Sequence, residues 1–148
     1  MKPPSFTGIR QTEIPKDPEK RRVILEEIKS LLDKNAIEIV DPKDSNTGFY
    51  STIFTVPKQT GGFRAILNLR KLNKFIRNQH FKMETLRSVI QSLNIGDWVF
   101  SIDLSDAYLH VPIHLESRKY LRFAIEGKVF QYRALPFGIS LPPACSQK

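Results

Sequence analysis

Apolar positions fall at helical spacing early in the chain. In "DPEKRRVILEEIKSLLDKN", Ile24, Ile28, Leu31 and Leu32 recur so as to share one face, which predicts an amphipathic helix. Asp17 is placed to cap it, Pro18 suits the first helical position, and Asn35 is a left-handed stop. The first sixteen residues, with Pro3, Pro4 and Pro15, show no period and read as an extended or disordered arm. "AIEIV" then reads as a short strand closed by Asp41-Pro42.

The period switches from helical to alternating in "FYSTIFTVPK" and "GFRAILNLR", two β-rich runs separated by "QTG". Tyr50, Thr52, Phe54 and Val56 are expected on one face of the first strand. In the second, Phe63, Ala65, Leu67 and Leu69 oppose Arg64, Ile66, Asn68 and Arg70. "ETLRSVIQSLNIG" predicts a second helix with Leu86, Val89, Ile90 and Leu93 as its buried stripe and Gly96 just past its end. "DWVFSID" is expected as a strand and "SDAYL" as a tight turn or short helix. "RKYLRFAIEGKVFQYRALPFG" holds two strands joined at Glu126-Gly127. There is no internal repeat or low-complexity tract. Helices mixed with hairpins predict an α+β fold with antiparallel sheet.

Composition narrows the function classes. The 148 residues, 41% hydrophobic and 26% charged, suit one globular domain. No apolar run approaches the roughly 18 residues of a membrane span. The N-terminus lacks the apolar core of a secretory signal. The single cysteine, Cys145, permits no internal disulfide and no cysteine-based zinc site. These features set the expectation of an intracellular protein of cytoplasm or nucleus, not secreted and without a membrane partner.

The formal net charge is +8, which favours a polyanionic partner, nucleic acid ahead of a membrane surface. Its distribution sharpens the picture. Between Ser45 and Met83 there is no Asp or Glu, while Lys58, Arg64, Arg70, Lys71, Lys74, Arg77 and Lys82 all fall there. Such a stretch is either a solvated basic face or an electrostatic footprint for phosphates.

Candidate chemistry centres on "WVFSIDLSDAYLHVPI". Alternation places Val99, Ser101 and Asp103 on one strand face and Trp98, Phe100 and Ile102 on the other. Asp103 then projects from a stiff element, as a metal ligand must. Phosphoryl transfer commonly uses two divalent ions about 3.5–4 Å apart, and magnesium accepts carboxylates together with substrate phosphates. Helix capping is the commoner use of an Asp in such a place. Asp106 stays open between second ligand, first-turn carboxylate and solvated residue. His80, His110 and His114 show no ligand spacing and read as structural or solvated.

Four segments in order carry a resemblance. "LLDKNAIEIVDP", "STIFTVPKQTGGFRAILNLRKLNKFI", "FSIDLSDAYLHVPI" and "RALPFGISLPPACSQK" resemble consecutive parts of reverse transcriptases, from about Glu19 onward. The wording is closer to retrotransposon enzymes (DIRS-like or related LTR-type elements) than to retroviral ones. The resemblance implies an N-terminal arm over 1–16, fingers over 17–78, the first part of the palm over 79–113, a fingers hairpin over 114–141 and the start of a second palm segment over 142–148.

Residue by residue, it implies that Asp103 is the catalytic metal-binding carboxylate and that Leu104 offers its carbonyl to a metal. Asp106 and Ala107 match the turn that holds the incoming triphosphate, and Tyr108 matches the aromatic gate beneath the sugar. Lys58 and Arg64 match the residues clamping the triphosphate; Arg binds phosphate in two-pronged fashion, Lys as a point charge. Phe137 and Gly138 match the turn near the nascent base pair. Arg70, Lys71, Lys74, Arg77 and Lys82 are expected near the template. Ser146 stands where many relatives have an aromatic.

The implied activity is RNA-directed DNA polymerisation with Mg2+ or Mn2+ on an RNA or DNA primer–template, using deoxynucleoside triphosphates. The Tyr-X-Asp-Asp run that completes the metal site in this family does not occur in the 148 residues. After Asp106 the carboxylate side chains are Glu116 and Glu126 alone. Groups that act as one catalytic unit do not contribute additively. The expectation is therefore a catalytically incomplete portion of a polymerase that binds metal weakly and whose partners include the remainder of the enzyme. The alternative is a non-catalytic nucleic-acid-binding remnant or domesticated module, with a relic of no selected activity behind it.

Overall fold

The computed structural model describes residues 3–76, 86–98, 100 and 107–140, the side chains of Leu86 and Ala107 excepted. The first helix, α1, spans Pro18–Asp33. The Asp17 side chain accepts the Glu19 N–H at 2.9 Å, and Pro18 occupies the first turn. Ile24, Ile28 and Leu31 are buried, as their spacing requires. Asn35, at φ 55°, turns the chain out of the helix.

Five further elements build the main body around α1. Strand β1 is Ile37–Ile39, β2 Tyr50–Ser51, β3 Ile53–Pro57, β4 Phe63–Leu67, and the short helix α2 Arg70–Asn73. After them come α3, Leu86–Ser92, and the strands β5, Arg122–Ile125, and β6, Lys128–Tyr132. Two sheets result, one ordered β1-β6-β5-β2 and one consisting of the β3–β4 hairpin.

The central strand β5 is buried along its whole length. Phe123 and Ala124 are fully inaccessible to solvent. Phe123 stacks on its cross-strand partner Phe130 at 5.3 Å and leans on Tyr132 at 5.9 Å. Ile24, Ile28 and Leu31 of α1 close over the same core with Leu67, Leu69 and Leu72. The β5–β6 turn is made by Glu126 and Gly127, both at positive φ, the geometry that two-residue hairpin loops require.

Several expectations from the sequence are corrected. The sheet is not wholly antiparallel: β2 pairs with β5 in parallel register, Tyr50 with Arg122 and Ser51 with Phe123. The run from Phe49 onward is not one strand of the hairpin, because Tyr50 and Ser51 belong to the other sheet. Its alternating face is broken accordingly: Tyr50 is buried against Val40, Ala124 and Val129, whereas Phe54 is exposed. Gly48 makes this switch possible; a Cβ there would sit 2.0 Å from the Lys119 carbonyl oxygen, and its φ is +87°.

The second helix forms over Leu86–Ser92, but Val89, Ile90 and Leu93 are exposed rather than a buried stripe. Trp98 and Phe100 are not in a strand and are 96% and 81% exposed; the rest of the strand expected up to Asp103, position 99 and positions 101–103, lies outside the described residues. A helical period marks a face but supplies no surface to bury it against.

The N-terminal arm is extended and docked. Gln11 bridges Ala124 in parallel, taking over the β5 edge where β2 ends. The Thr12 N–H donates to the Ala124 carbonyl at 2.6 Å, and its hydroxyl accepts the Ile53 N–H at 3.2 Å. Thr12 thus ties the two sheets together. Among the described residues, no helix is long and apolar enough to cross a membrane.

Candidate functional site

The hairpin β3–β4 carries the first pair of candidate residues. Its register sets Val56 opposite Arg64 and Pro57 opposite Phe63, which places Lys58 in the connecting loop. That loop is closed by the Lys58 N–H donating to the Gly62 carbonyl at 2.9 Å. The Lys20 ammonium lies 5.0 Å from the Phe63 ring centroid and pins the hairpin to α1. Lys58 and Arg64 are both exposed, so their charges face solvent from a two-stranded scaffold.

The second group rides on α2. Leu69 and Leu72 are buried and hold this short helix to the core. Arg70, Lys71 and Lys74 point outward and are exposed. The Asn68 carboxamide oxygen accepts the Arg70 N–H at 3.3 Å, fixing the start of the helix. Among the described residues, none of these three cations, nor Lys58 or Arg64, forms an ion pair with a carboxylate. An unneutralised basic surface of this kind suits phosphates.

The third group lies where the 3₁₀ helix Ala107–His110 meets the turn after Pro136. Segment 111–113 is laced to 133–135: Leu135 N–H donates to Val111 O, and Ile113 N–H to Arg133 O, each at 2.8 Å. Tyr108 is thereby set edge-on against Phe137, with ring centroids 5.5 Å apart at 83°. Tyr108 is 44% exposed and Phe137 68%, so the pair forms a surface, not a core contact. Gly138 follows at φ +95° with open space where a Cβ would be.

The structure therefore brings Tyr108, Phe137 and Gly138 together and sets α2 beside them. The carboxamide of Asn73 donates to the Gly138 carbonyl at 2.9 Å and accepts the Ser140 N–H at 2.9 Å. Sequence reasoning gave Asn73 no role: it closes the R-x-LN signature, Arg70 to Asn73, that the resemblance includes, but nothing local marks a partner 65 residues away. No hydrogen bond or ring contact joins this assembly to Lys58 or Arg64 among the described residues. Asp103, Leu104, Asp106, Arg77 and Lys82 lie outside the described residues, and Ala107 is placed by its backbone alone.

A polar cleft elsewhere has a different character. It is lined by Glu38, Asp44, Glu116, Arg122 and Gln131 among others. Arg122, 5% exposed, donates to Gln131 Oε1 at 3.1 Å, to Asp44 O at 2.6 Å and to Thr47 O at 2.9 Å. Glu38 receives Gln131 Nε2 at 2.7 Å and Arg118 at 3.3 Å. These groups satisfy one another and hold loop 42–47 to the sheet. Burial raises the Tyr50 hydroxyl above its usual range, with Arg122 offsetting part of the effect. Burial, reinforced by the charge of Glu27, raises Tyr132 further.

Among the described residues, no group of three or more His, Cys, Asp or Glu could hold a metal ion. The chemistry of the implied donors still fits a hard cation, since the Asp103 carboxylate and the Leu104 carbonyl are both oxygen donors.

Comparisons with known proteins agree on one family. A family model described as reverse transcriptase (RNA-dependent DNA polymerase) matches residues 56–148. The genome polyprotein of Petunia vein clearing virus is 25% identical over 136 residues, covering 89% of this chain and 6% of the polyprotein. The transposon Tf2-7 polyprotein of Schizosaccharomyces pombe is 27% identical over 93 residues, 62% of this chain and 7% of its own length. The chain thus spans under a tenth of these relatives.

Among solved structures, the foamy viral protease–reverse transcriptase in complex with dsDNA superposes with a TM-score of 0.65 at 23% identity, covering 97% of this chain and 30% of that one. The native prototype foamy virus protease–reverse transcriptase gives 0.62 at 21% identity, covering 94% and 19%. With an α+β fold of that architecture and a family model matching more than half of its length, the chain belongs to the reverse transcriptase (RNA-dependent DNA polymerase) family.

Proposed function

We propose that this chain is the fingers and the first part of the palm of a retroelement polymerase, which in its complete form adds deoxynucleotides to a primer on an RNA or DNA template. The observation that carries the reading is the meeting of Tyr108, Phe137 and Gly138 beside a basic helix whose cations form no ion pair among the described residues. In this reading the exposed edge of Tyr108 lies under the sugar and crowds a 2′-hydroxyl. Phe137 and Gly138 flank the nascent base pair. Lys58 and Arg64 neutralise the triphosphate from the hairpin, and the backbone at Asp106 and Ala107 holds it from below.

Arg70, Lys71, Lys74, Arg77 and Lys82 grip the template strand through phosphates. Asp103 and the Leu104 carbonyl would hold Mg2+ or Mn2+, which when bound supplies charge stabilisation at the reacting phosphate. The boundaries are an arm over 1–16, fingers over 17–78 and 114–141, and palm over 79–113 and from 142. The foamy virus relative is described in complex with dsDNA, which supports duplex as the partner to test.

Because Tyr-X-Asp-Asp does not occur in this sequence, the chain alone is expected to give no product in a primer-extension assay with magnesium or manganese. Template-dependent product would overturn that. A second reading, a nucleic-acid-binding module without catalysis, is favoured by the cations of α2, which form no ion pair among the described residues. Both readings require salt-sensitive binding of a primer–template duplex. Changing Arg70, Lys74 and Arg77 to Ala should lower the slope of log affinity against log salt by about 2–3, since each phosphate contact contributes slightly under one. An unchanged slope would count against both; coding sequence continuing in frame to Tyr-X-Asp-Asp would decide for the polymerase.

A further inference from the structure

We infer that Asn73 is a positioning residue: it locks the basic helix α2 to the Phe137–Gly138 turn, so that nucleic acid held on α2 sets the position of the surface meeting the nucleotide. The inference rests on the functional reading above.

The geometry is specific. A carboxamide has one acceptor oxygen and an NH2 donor, and Asn73 uses both on one short stretch. Its Nδ2 donates to Gly138 O and its Oδ1 accepts from Ser140 N–H, each at 2.9 Å. Two bonds from one planar group fix orientation as well as distance, as a neighbouring strand would. The flipped amide would set oxygen against oxygen and nitrogen against N–H, so the partners define the orientation.

The two sides of the link are held differently. On the helix side, the Asn73 N–H donates to Leu69 O at 2.8 Å, and the adjacent Leu72 is 4% exposed. On the turn side, Gly138 at φ +95° meets nothing within 4 Å of a would-be Cβ, while its neighbour Ile139 packs against the core, so the Gly138 carbonyl and the Ser140 N–H are the polar groups the amide holds. Nearby lies an apolar hollow of about 390 Å³ whose lining includes Leu72 from the helix and Ile139 from beyond the turn. The Asn73 amide is the polar tie between helix and turn. Beyond the turn, Phe137 carries the coupling to Tyr108 through their ring contact.

The test uses the full 148-residue chain and a DNA primer–template duplex with a 5′ overhang at low salt. Duplex affinity is read by fluorescence anisotropy. Hydrogen–deuterium exchange is followed over residues 134–140, with and without duplex. In the wild-type chain, duplex should slow exchange at 138–140 by about threefold or more. In Asn73→Ala the segment should exchange faster and lose this response, while duplex affinity stays within about threefold. Asn73→Asp keeps the acceptor for Ser140 but sets a carboxylate against the Gly138 carbonyl, and should retain part of the response at Ser140 alone.

A purely structural role would raise exchange equally with and without duplex. A duplex response in Asn73→Ala equal to that of the wild type would overturn the inference, as would wild-type binding with no response at 138–140. Failure of the wild-type chain to bind duplex at all would show as flat anisotropy; it would overturn the functional reading and the coupling with it. Exchange in β5 reports folding, and where Asn73→Ala loses β5 protection, the same comparison is decided on Asn73→Asp.

Discussion

The β5–β6 pair and the segment 86–100 are both rich in large apolar residues, and they meet opposite fates. Phe123, Ile125, Phe130 and Tyr132 are all buried, while Ile90, Ile95, Trp98 and Phe100 are 58% to 108% exposed. Strand pairing explains the first outcome. Cross-strand bonds satisfy the backbone of β5 on both sides, so its side chains can be closed over by α1 without stranding polar groups. In the second region, no residue of 86–100 joins a buried cluster among the described residues. Hydrophobic period predicts local conformation; burial needs a second surface at the right distance.

Substitutions can break this contrast. The largest effect is expected for Phe123→Ala, which removes a fully buried ring touching two others; the loss should be about 3–5 kcal/mol, read by urea unfolding. Arg122→Leu should cost about 1.5–3 kcal/mol, because it strands the acceptors Asp44 O and Thr47 O that the guanidinium now satisfies. A near-neutral result would show that loop 42–47 is held by other contacts.

Alkaline titration sharpens the same picture. Burial keeps the Tyr132 phenol neutral and raises its pKa above the usual 10.0 in the folded chain. The unfolded chain gains by ionising first. Stability from the neutral phenol is therefore whole below about pH 10 and is lost as pH rises from there toward the folded-state value. Tyr132→Phe should flatten that decline in melting experiments at stepped pH; an unchanged decline would assign it to other groups. The smallest effect is expected on the exposed side: Ile90→Ser should shift stability by no more than about 0.5 kcal/mol. A loss above 1 kcal/mol, on the order of a core truncation, would show that the contrast between the two regions is false.

Parts of the molecule were legible because their causes are local. The Asp17 cap, the Ile24–Ile28–Leu31 stripe, the Asn35 stop and the Glu126-Gly127 turn are all found as their spacing predicts. Of the candidate site, the short helical turn at Tyr108 was readable in the same way; the basic residues were readable as a stretch, but Arg70 was expected on a strand and not at the start of α2. The resemblance carried their implied roles and those of Phe137 and Gly138. What was not legible is how these pieces touch. Neither the edge contact of Tyr108 on Phe137 nor the Asn73 link has a periodic or capping signature, since each joins residues far apart in sequence.

The sequence by itself determined the first helix with its cap and stop, the two hairpin turns, the basic acid-free stretch and the ordered motifs of the family. These depend on neighbours three or four residues away, on alternation by two, or on residue identity. The sequence did not show that β4 ends at Leu67 and that Arg70 opens the short helix α2. Tertiary structure alone decided that β2 would leave the hairpin to pair in parallel with β5, that Thr12 would bridge two sheets and that Arg122 would be buried. It also decided that the second helix would expose its apolar stripe and that Asn73 would clamp a turn far along the chain. Each of those outcomes rests on complementary surfaces and unpaired backbone groups meeting across long loops, and no local pattern records which partner arrives.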